Sequence, residues 1–160
     1  MVTLFLSVRP AAPADFDTLL KLQDEVAVDL LSRGIRWNPG AVTRDHLDEW
    51  VGEGALMVGT IEDKVVGAVA IRSIDRGGRW PKGDLAGYLH DLMVSPQVKG
   101  NHLGGQLLNW AESYIRGRGR LRVRLDCDAS NTRLCRYYEE AGYRRAGELD
   151  GSALFEKVLR

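Results

Sequence analysis

The sequence predicts an α/β (α+β) fold, a mixed and mainly antiparallel central sheet with one parallel strand pair, flanked by about four helices. Residues 88–94, 103–114 and 121–127 read as strand, helix and strand, and such a unit implies a parallel pair joined by a right-handed crossover. Residues 55–61 and 64–74 are rich in apolar and β-branched side chains and are separated only by Glu62-Asp63, which makes an antiparallel hairpin. The chain has 160 residues, 44% apolar and 28% charged, enough for one core without metal or disulfide staples. A single domain over 1–160 is therefore expected.

Taken in order, Leu4-Phe5-Leu6-Ser7-Val8 is a short apolar strand that the segment from Pro10 to Pro13 should end, because proline lacks the ladder N–H. Phe16, Leu19, Leu20, Val26, Ala27, Leu30 and Leu31 then recur at helical spacing. Thr43 is placed to cap a short helix carrying Leu47, Trp50 and Val51. After the hairpin, residues 75–87 form a glycine-bearing loop. Leu103, Leu107, Ala111 and Tyr114 make the stripe of the crossover helix. Leu121, Val123, Leu125 and Cys127 alternate with Arg122, Arg124, Asp126 and Asp128, a period of two that gives a strand with one polar face. Asn131 is placed to cap a last helix through Leu134, Tyr137, Tyr138 and Ala141, and Gly142 stops it. Residues 143–147 and 153–159 close the sheet as two strands, turning near Asp150-Gly151.

Lys and Arg number 22 and Asp and Glu number 22, so the net charge is zero, and the basic footprint of a general nucleic-acid binder is missing. The start has no cationic leader or apolar signal core, and no stretch approaches the roughly 20 apolar residues of a membrane span. The expectation is a complete cytoplasmic protein with neither nucleic-acid nor membrane partners. Two cysteines, Cys127 and Cys135, fit a reduced compartment, and no Cys/His or Gly-x-Ser-x-Gly signature marks a nucleophile. His46, His90 and His102 lie on separate elements without metal-ligand spacing, so no metal is expected.

The most informative stretch runs Val94-Ser95-Pro96-Gln97-Val98-Lys99-Gly100-Asn101-His102-Leu103-Gly104-Gly105-Gln106-Leu107-Leu108. A strand enters a glycine-bearing turn and then a helix, whose first N–H groups are unpaired and whose dipole favours an anion. Lys99 adds a full charge, so the turn suits a pyrophosphate. Neither the P-loop nor the Rossmann spacing is present. The stretch resembles the acyl-CoA-binding motif of the GNAT superfamily of N-acetyltransferases, Val-x-Pro-x-x-Arg-Gly-x-Gly-Ile-Gly followed by paired leucines. It matches at Val94, Pro96, Gly100, Gly104, Leu107 and Leu108, conservatively at Lys99 and Leu103, and departs at His102, where the pattern has glycine. The family's second motif, Asn-x-x-Ala-x-x-Leu-Tyr-Glu-Lys-x-Gly-Phe, is similar to the run from Asn131 to Tyr143.

The resemblance implies acetyl transfer from acetyl-CoA to a primary amine in a ternary complex, the acceptor being a small molecule first and a peptide or protein amine second. The amides around Val98, Lys99, Gly100, Asn101, His102, Leu103, Gly104 and Gly105 are then expected to hold the pyrophosphate. Main-chain groups of Leu92, Met93 and Val94 are expected to pair with the pantetheine arm and polarise the thioester. Asn131 is expected to bond the pantetheine, and Tyr138 to protonate the departing thiolate. The amine must lose a proton before attack, and the candidate bases are Asp91 and His90, neighbours that point to opposite strand faces unless a bulge intervenes. Asp24, Glu25 and Asp29, with Trp37 and Trp80, are candidates for holding a cationic acceptor. Each has an ordinary alternative: a packed tyrosine, polar strand residues, a solvated helix face, loop packing. Arg116, Arg118, Arg120, Arg122 and Arg124 make either a basic stripe or a solvated face. A homodimer is left open, and the rival from another class is a CoA-binding domain without transferase activity.

Overall fold

A computed structural model describes residues 4–35, 42–75, 77–83, 85–98 and 100–160. Its strands are β1 (Ser7–Pro10), β2 (Leu56–Ile61), β3 (Lys64–Arg72), β4 (Ala86–Val94), β5 (Arg122–Asp128), β6 (Arg144–Leu149) and β7 (Ser152–Val158). The helices are α1 (Phe16–Ser32), α2 (Arg44–Gly52), α3 (Leu103–Gly117) and α4 (Thr132–Glu140). The strands form one sheet in the order β1-β2-β3-β4-β5-β7-β6. The β4–β5 pair is parallel, and β1–β2, β2–β3, β5–β7 and β6–β7 are antiparallel, the mixed sheet that the strand–helix–strand unit required. The chain forms two compact units, residues 1–70 with 91–111, and residues 71–90 with 112–160.

In the first unit α1 and α2 bury Phe16, Leu19, Leu22, Leu47 and Trp50 in one cluster with Leu56, Val58, Ala68 and Ala70 of the hairpin. Those strand positions are even-numbered, one face of a period-two element. Thr43 caps α2 as expected, its hydroxyl accepting from the His46 N–H, while Thr43 N–H donates to His46 Nδ1 at 3.1 Å. The β2–β3 turn places both Glu62 and Asp63 at positive φ, the left-handed pair of a two-residue hairpin. Gln106 of α3 anchors the start of the chain, accepting from Leu6 N–H at 3.0 Å and donating to the Leu4 carbonyl at 2.9 Å.

Two details of this unit depart from the sequence reading. β1 includes Pro10, paired with Met57, instead of ending before it. It is an edge strand, and the bond to β2 comes from Ala11 N–H to the Leu56 carbonyl, so the nitrogen of Pro10 points to the unpaired side and no ladder bond is lost. On α1, burial ends at Ala27, and Val28 and Leu31 are each 70% exposed, so the last turn lies outside the core that the apolar stripe suggested.

In the second unit Val123, Leu125 and Cys127 of β5 are buried with Phe155 of β7 and with Ile115, Cys135 and Tyr138 of the covering helices. Asn131 caps α4, its Oδ1 accepting from Leu134 N–H at 3.1 Å. Lys157 holds the other end, with Nζ 3.0 Å from the Ala141 carbonyl and 3.0 Å from Glu112 Oε1. A cation at a helix C-terminus is favourable both as donor and through the macrodipole. The β6–β7 turn is Asp150-Gly151, again two residues at positive φ.

Candidate active site

β4 carries the transition between the two units, and its register with β5 covers Ala86↔Arg122, Gly87↔Val123 and Tyr88↔Arg124; residues 89–94 extend beyond it. His90 belongs to the second unit and Asp91 to the first. Asp91 takes φ +51, a left-handed residue inside a strand, so the regular alternation of faces breaks at that position. Leu92, Met93 and Val94 follow, all part-buried. A Cβ at Gly67 of β3 would lie 2.9 Å from the Met93 carbonyl oxygen, so the backbone reaches its place beside β3 only because residue 67 has no side chain.

Past Val94 the chain makes a tight turn. Ser95 N–H donates to the Val66 carbonyl at 2.7 Å, Ser95 Oγ accepts from Gln97 N–H, and residues Pro96–Val98 form a 3₁₀ turn. Asn101 Nδ2 closes it on the Val98 carbonyl at 3.1 Å, which turns that side chain inward to the loop. Lys99 lies outside the described residues. Gly100 and His102 both sit at positive φ, +85 and +54. His102 thus keeps the left-handed backbone for which the resembling pattern supplies glycine, and it is exposed. Its carbonyl accepts the helical bond from Gln106 N–H, so the N–H groups of Leu103, Gly104 and Gly105 are the first-turn donors of α3. Leu103 is buried and anchors the helix start.

Gly105 is the third residue of α3. It lies inside α3 at ordinary helical φ, and a Cβ added there meets no atom within 4 Å. Neither conformation nor packing asks for glycine, which costs roughly 0.5–1 kcal/mol against alanine in a helix.

The second unit carries the remaining predicted residues. Tyr138 is buried with its ring edge-on to Tyr143, centroids 5.8 Å apart, and against Phe155. Burial, reinforced by the Cys127 thiol, raises its pKa, so the phenol is protonated at neutral pH. Tyr137, its neighbour in the chain, is 38% exposed. Asn131 spends Oδ1 on the α4 cap and retains its amide nitrogen as a donor. Burial holds the His90 imidazole below its ordinary pKa, with Asp126 opposing and Arg72 and Arg79 adding to the shift, so His90 is neutral at pH 7.

Several of the other candidates have partners within the protein. Arg118 stacks over Tyr114, Arg120 Nη1 donates to the Ser73 and Ala86 carbonyls, and Arg122 and Arg124 both pair with Glu156, which accounts for four of the run's five arginines. Asp24 is exposed, Asp29 pairs with Arg33 at 3.0 Å, and Trp37 lies outside the described residues. Trp80 packs under the Arg124 guanidinium at 4.8 Å. Cys127 and Cys135 are free, with Sγ atoms 3.7 Å apart. Sequence reasoning passed over Glu112, a carboxylate within the apolar stripe of α3 that accepts from Tyr143 and Lys157. A charge inside a buried stripe was its only signal. Among the described residues no group of three or more His, Cys, Asp or Glu is placed to hold a metal ion.

The family model of the acetyltransferase (GNAT) family matches residues 22–143, a stretch that contains the β4–α3 turn and the α4 motif. The chain belongs to the acetyltransferase (GNAT) family. Acetyl-CoA is the acyl donor of this family, and solved proteins of the same fold at 15–20% identity hold coenzyme A. The GNAT chain is similar to an uncharacterized N-acetyltransferase, YesJ, of Bacillus subtilis, 42% identical over 73 residues, which are 45% of this chain and 41% of that protein. It is also similar to mycothiol acetyltransferase of Stackebrandtia nassauensis, 30% identical over 146 residues, 88% of this chain and 45% of that protein. The chain thus spans less than half the length of these curated relatives. An acetyltransferase of the GNAT family from Listeria monocytogenes superposes with a TM-score of 0.84 at 27% identity, covering 99% of both chains. No helix among the described residues is long and apolar enough to cross a membrane.

Proposed function

We propose that this GNAT protein transfers the acetyl group of acetyl-CoA to the primary amine of a small molecule by direct attack in a ternary complex. Gly105 carries the reading, because a glycine that the protein's own packing and backbone do not require is explained by a pyrophosphate lying on the first turn of α3. The amides of Val98, Lys99, Gly100, Asn101, His102, Leu103, Gly104 and Gly105 form that cradle, and Lys99 adds charge to it. Acetyl-CoA supplies an activated thioester.

The chain's own groups then divide the chemistry. A main-chain N–H among Leu92, Met93 and Val94 donates to the carbonyl oxygen as it gains charge, an effect worth on the order of 3 kcal/mol. The kink at Asp91 reorients this segment, which supports its use for a ligand in place of a strand ladder. His90, neutral at pH 7, takes the proton from the acceptor ammonium and releases it to solvent. The amine nitrogen bonds to the carbonyl carbon, the C–S bond breaks, Tyr138 gives its proton to the thiolate, and the second proton lost from the nitrogen passes to His90 and solvent, from which the phenol is reprotonated. A thiolate of ordinary pKa about 8.5 is a fair leaving group, so Tyr138 accelerates the step without being indispensable. Asn131 Nδ2 is the donor assigned to the pantetheine amide.

The test is binding followed by turnover. A ligand at 100 times its Kd stabilises a protein by about 2.7 kcal/mol, so acetyl-CoA is expected to raise the melting temperature more than ATP or NAD does. Thiol release is then followed across a panel of small amines and peptides. Preferential stabilisation with release on a small amine upholds the reading. Stabilisation without release on any amine favours a CoA-binding domain, and release only on peptides moves the acceptor class.

A further inference from the structure

The polar face of β5 in the second unit is covered by the loop between β3 and β4, and that covering is specific. Asp75 shapes the loop, with Oδ1 accepting from Gly77 N–H at 3.2 Å and Oδ2 from Trp80 N–H at 2.8 Å. Trp80 lies against the Arg124 guanidinium, and Arg79 Nη1 reaches Asp126 Oδ2 at 2.6 Å. Arg124 itself is buried, bonded through Nε to Glu156 at 2.7 Å and through Nη1 to the Tyr88 hydroxyl at 3.3 Å. That last bond fixes Tyr88 and Arg124 on one face, as their register requires. Two residues further along each strand, before the kink at Asp91, the same face presents His90 and Asp126.

We propose that Asp126, clamped by Arg79, is a positioning residue that orients and electrostatically supports the His90 imidazole as it takes the proton of the acceptor amine. The proposal rests on His90 being the base. An imidazole that accepts a proton in a partly dry site gains from a nearby carboxylate, and a carboxylate already paired to an arginine gives only part of that support. The charged groups around His90 are Asp126 from β5, Arg72 from the end of β3, and Asp75 and Arg79 from the loop. Arg124 on the same face is neutralised by Glu156. Asp126 and Arg79 therefore act on His90 in opposite directions, and neither takes part in the acyl-CoA cradle.

The experiment follows the ring signals of the three histidines by NMR against pH, alongside the acid limb of the transfer rate for one fixed amine. In Asp126→Asn the His90 midpoint is expected to move to lower pH, and in Arg79→Met to higher pH, with the acid limb following in the same directions. A purely structural effect of either change, loosening the loop and letting water reach His90, raises the midpoint in both. Movement in the same direction, or none, overturns the proposal. Opposite movements of the midpoint with an unmoved acid limb overturn the assignment of His90 as base, on which it depends. Where Asp126→Asn fails to fold, Arg79→Lys takes its place: it keeps the positive charge facing Asp126, so the midpoint is expected to stay while Arg79→Met raises it, and a rise in both variants, the mark of a loosened loop, overturns the proposal.

Discussion

The Tyr143 hydroxyl donates to Glu112 Oε2 at 2.8 Å in the interior of the second unit, and Lys157 closes on the other carboxylate oxygen at 3.0 Å. Three polar groups from α3, the end of α4 and β7 so satisfy one another, and Lys157 caps α4 with the same ammonium. Glu112→Ala leaves a buried hydroxyl and an ammonium without their acceptor and is expected to cost about 3 kcal/mol in urea unfolding. Tyr143→Phe keeps the Lys157 pair and is expected to cost about 1 kcal/mol. Equal losses in the two variants count against this division.

Gly105→Ala separates stability from binding. With open space at its Cβ, alanine is expected to stabilise the protein by about 0.5–1 kcal/mol and at the same time to weaken acetyl-CoA measurably by calorimetry. Unchanged affinity removes the main support for the pyrophosphate cradle.

His102 holds a left-handed conformation that costs a non-glycine residue roughly 1–2 kcal/mol. Glycine there recovers that strain and gives back part of it through its freer unfolded chain, so His102→Gly is expected to stabilise by about 0.5 kcal/mol in urea unfolding. His102→Ala keeps the strain and is expected to be near neutral. A destabilised glycine variant means that the imidazole makes contacts worth more than the strain.

Arg9 grips Asp15 through two bonds of 2.9 Å, and Asp15 Oδ2 also accepts from Ala12 N–H at 2.8 Å. The Arg9 bonds, ahead of the Ala12 bond, hold the carboxyl below its ordinary value against the opposing effect of burial. A lowered carboxyl pKa gives stability that is present above the unfolded value and lost as pH falls through the folded one. Asp15→Asn is therefore expected to be less stable than the parent at pH 7 by about 1 kcal/mol, with the gap closing in acid below the usual carboxylate range. Denaturant titrations at the two pH values check the sign.

Burial pushes the Cys127 thiol up to about 12, and contact with Cys135 adds to the shift. The thiolate is the reactive form, so native protein is expected to alkylate with iodoacetamide far more slowly than free cysteine, with both thiols reacting once it is unfolded. Rapid labelling of the native chain contradicts this burial.

Much of the fold was legible because its signals are local. The period of two in residues 121–128 survives as β5 with Val123, Leu125 and Cys127 buried. Thr43 and Asn131 cap the helices they were expected to cap, since capping involves only the next three residues. The exposed end of α1 was not legible, because an apolar stripe records what a helix can bury and not where its partner ends. In the candidate site, the motif located the turn and Tyr138, while the unequal burial of Tyr137 and Tyr138 is set by packing that the local pattern does not record.

By itself, the sequence determined the order of elements, the parallel β4–β5 crossover, the glycine-bearing turn into α3 and the family, all of which depend on residue type at short range. Only the tertiary structure decided that His102 keeps a left-handed backbone, that Asp91 kinks β4, that four of the run's five arginines are taken up by Glu156, Tyr114 and backbone carbonyls, and that Arg79 is clamped to Asp126. Those outcomes join residues up to 47 positions apart. Charge pairing and burial depend on distance in space, which no local pattern encodes.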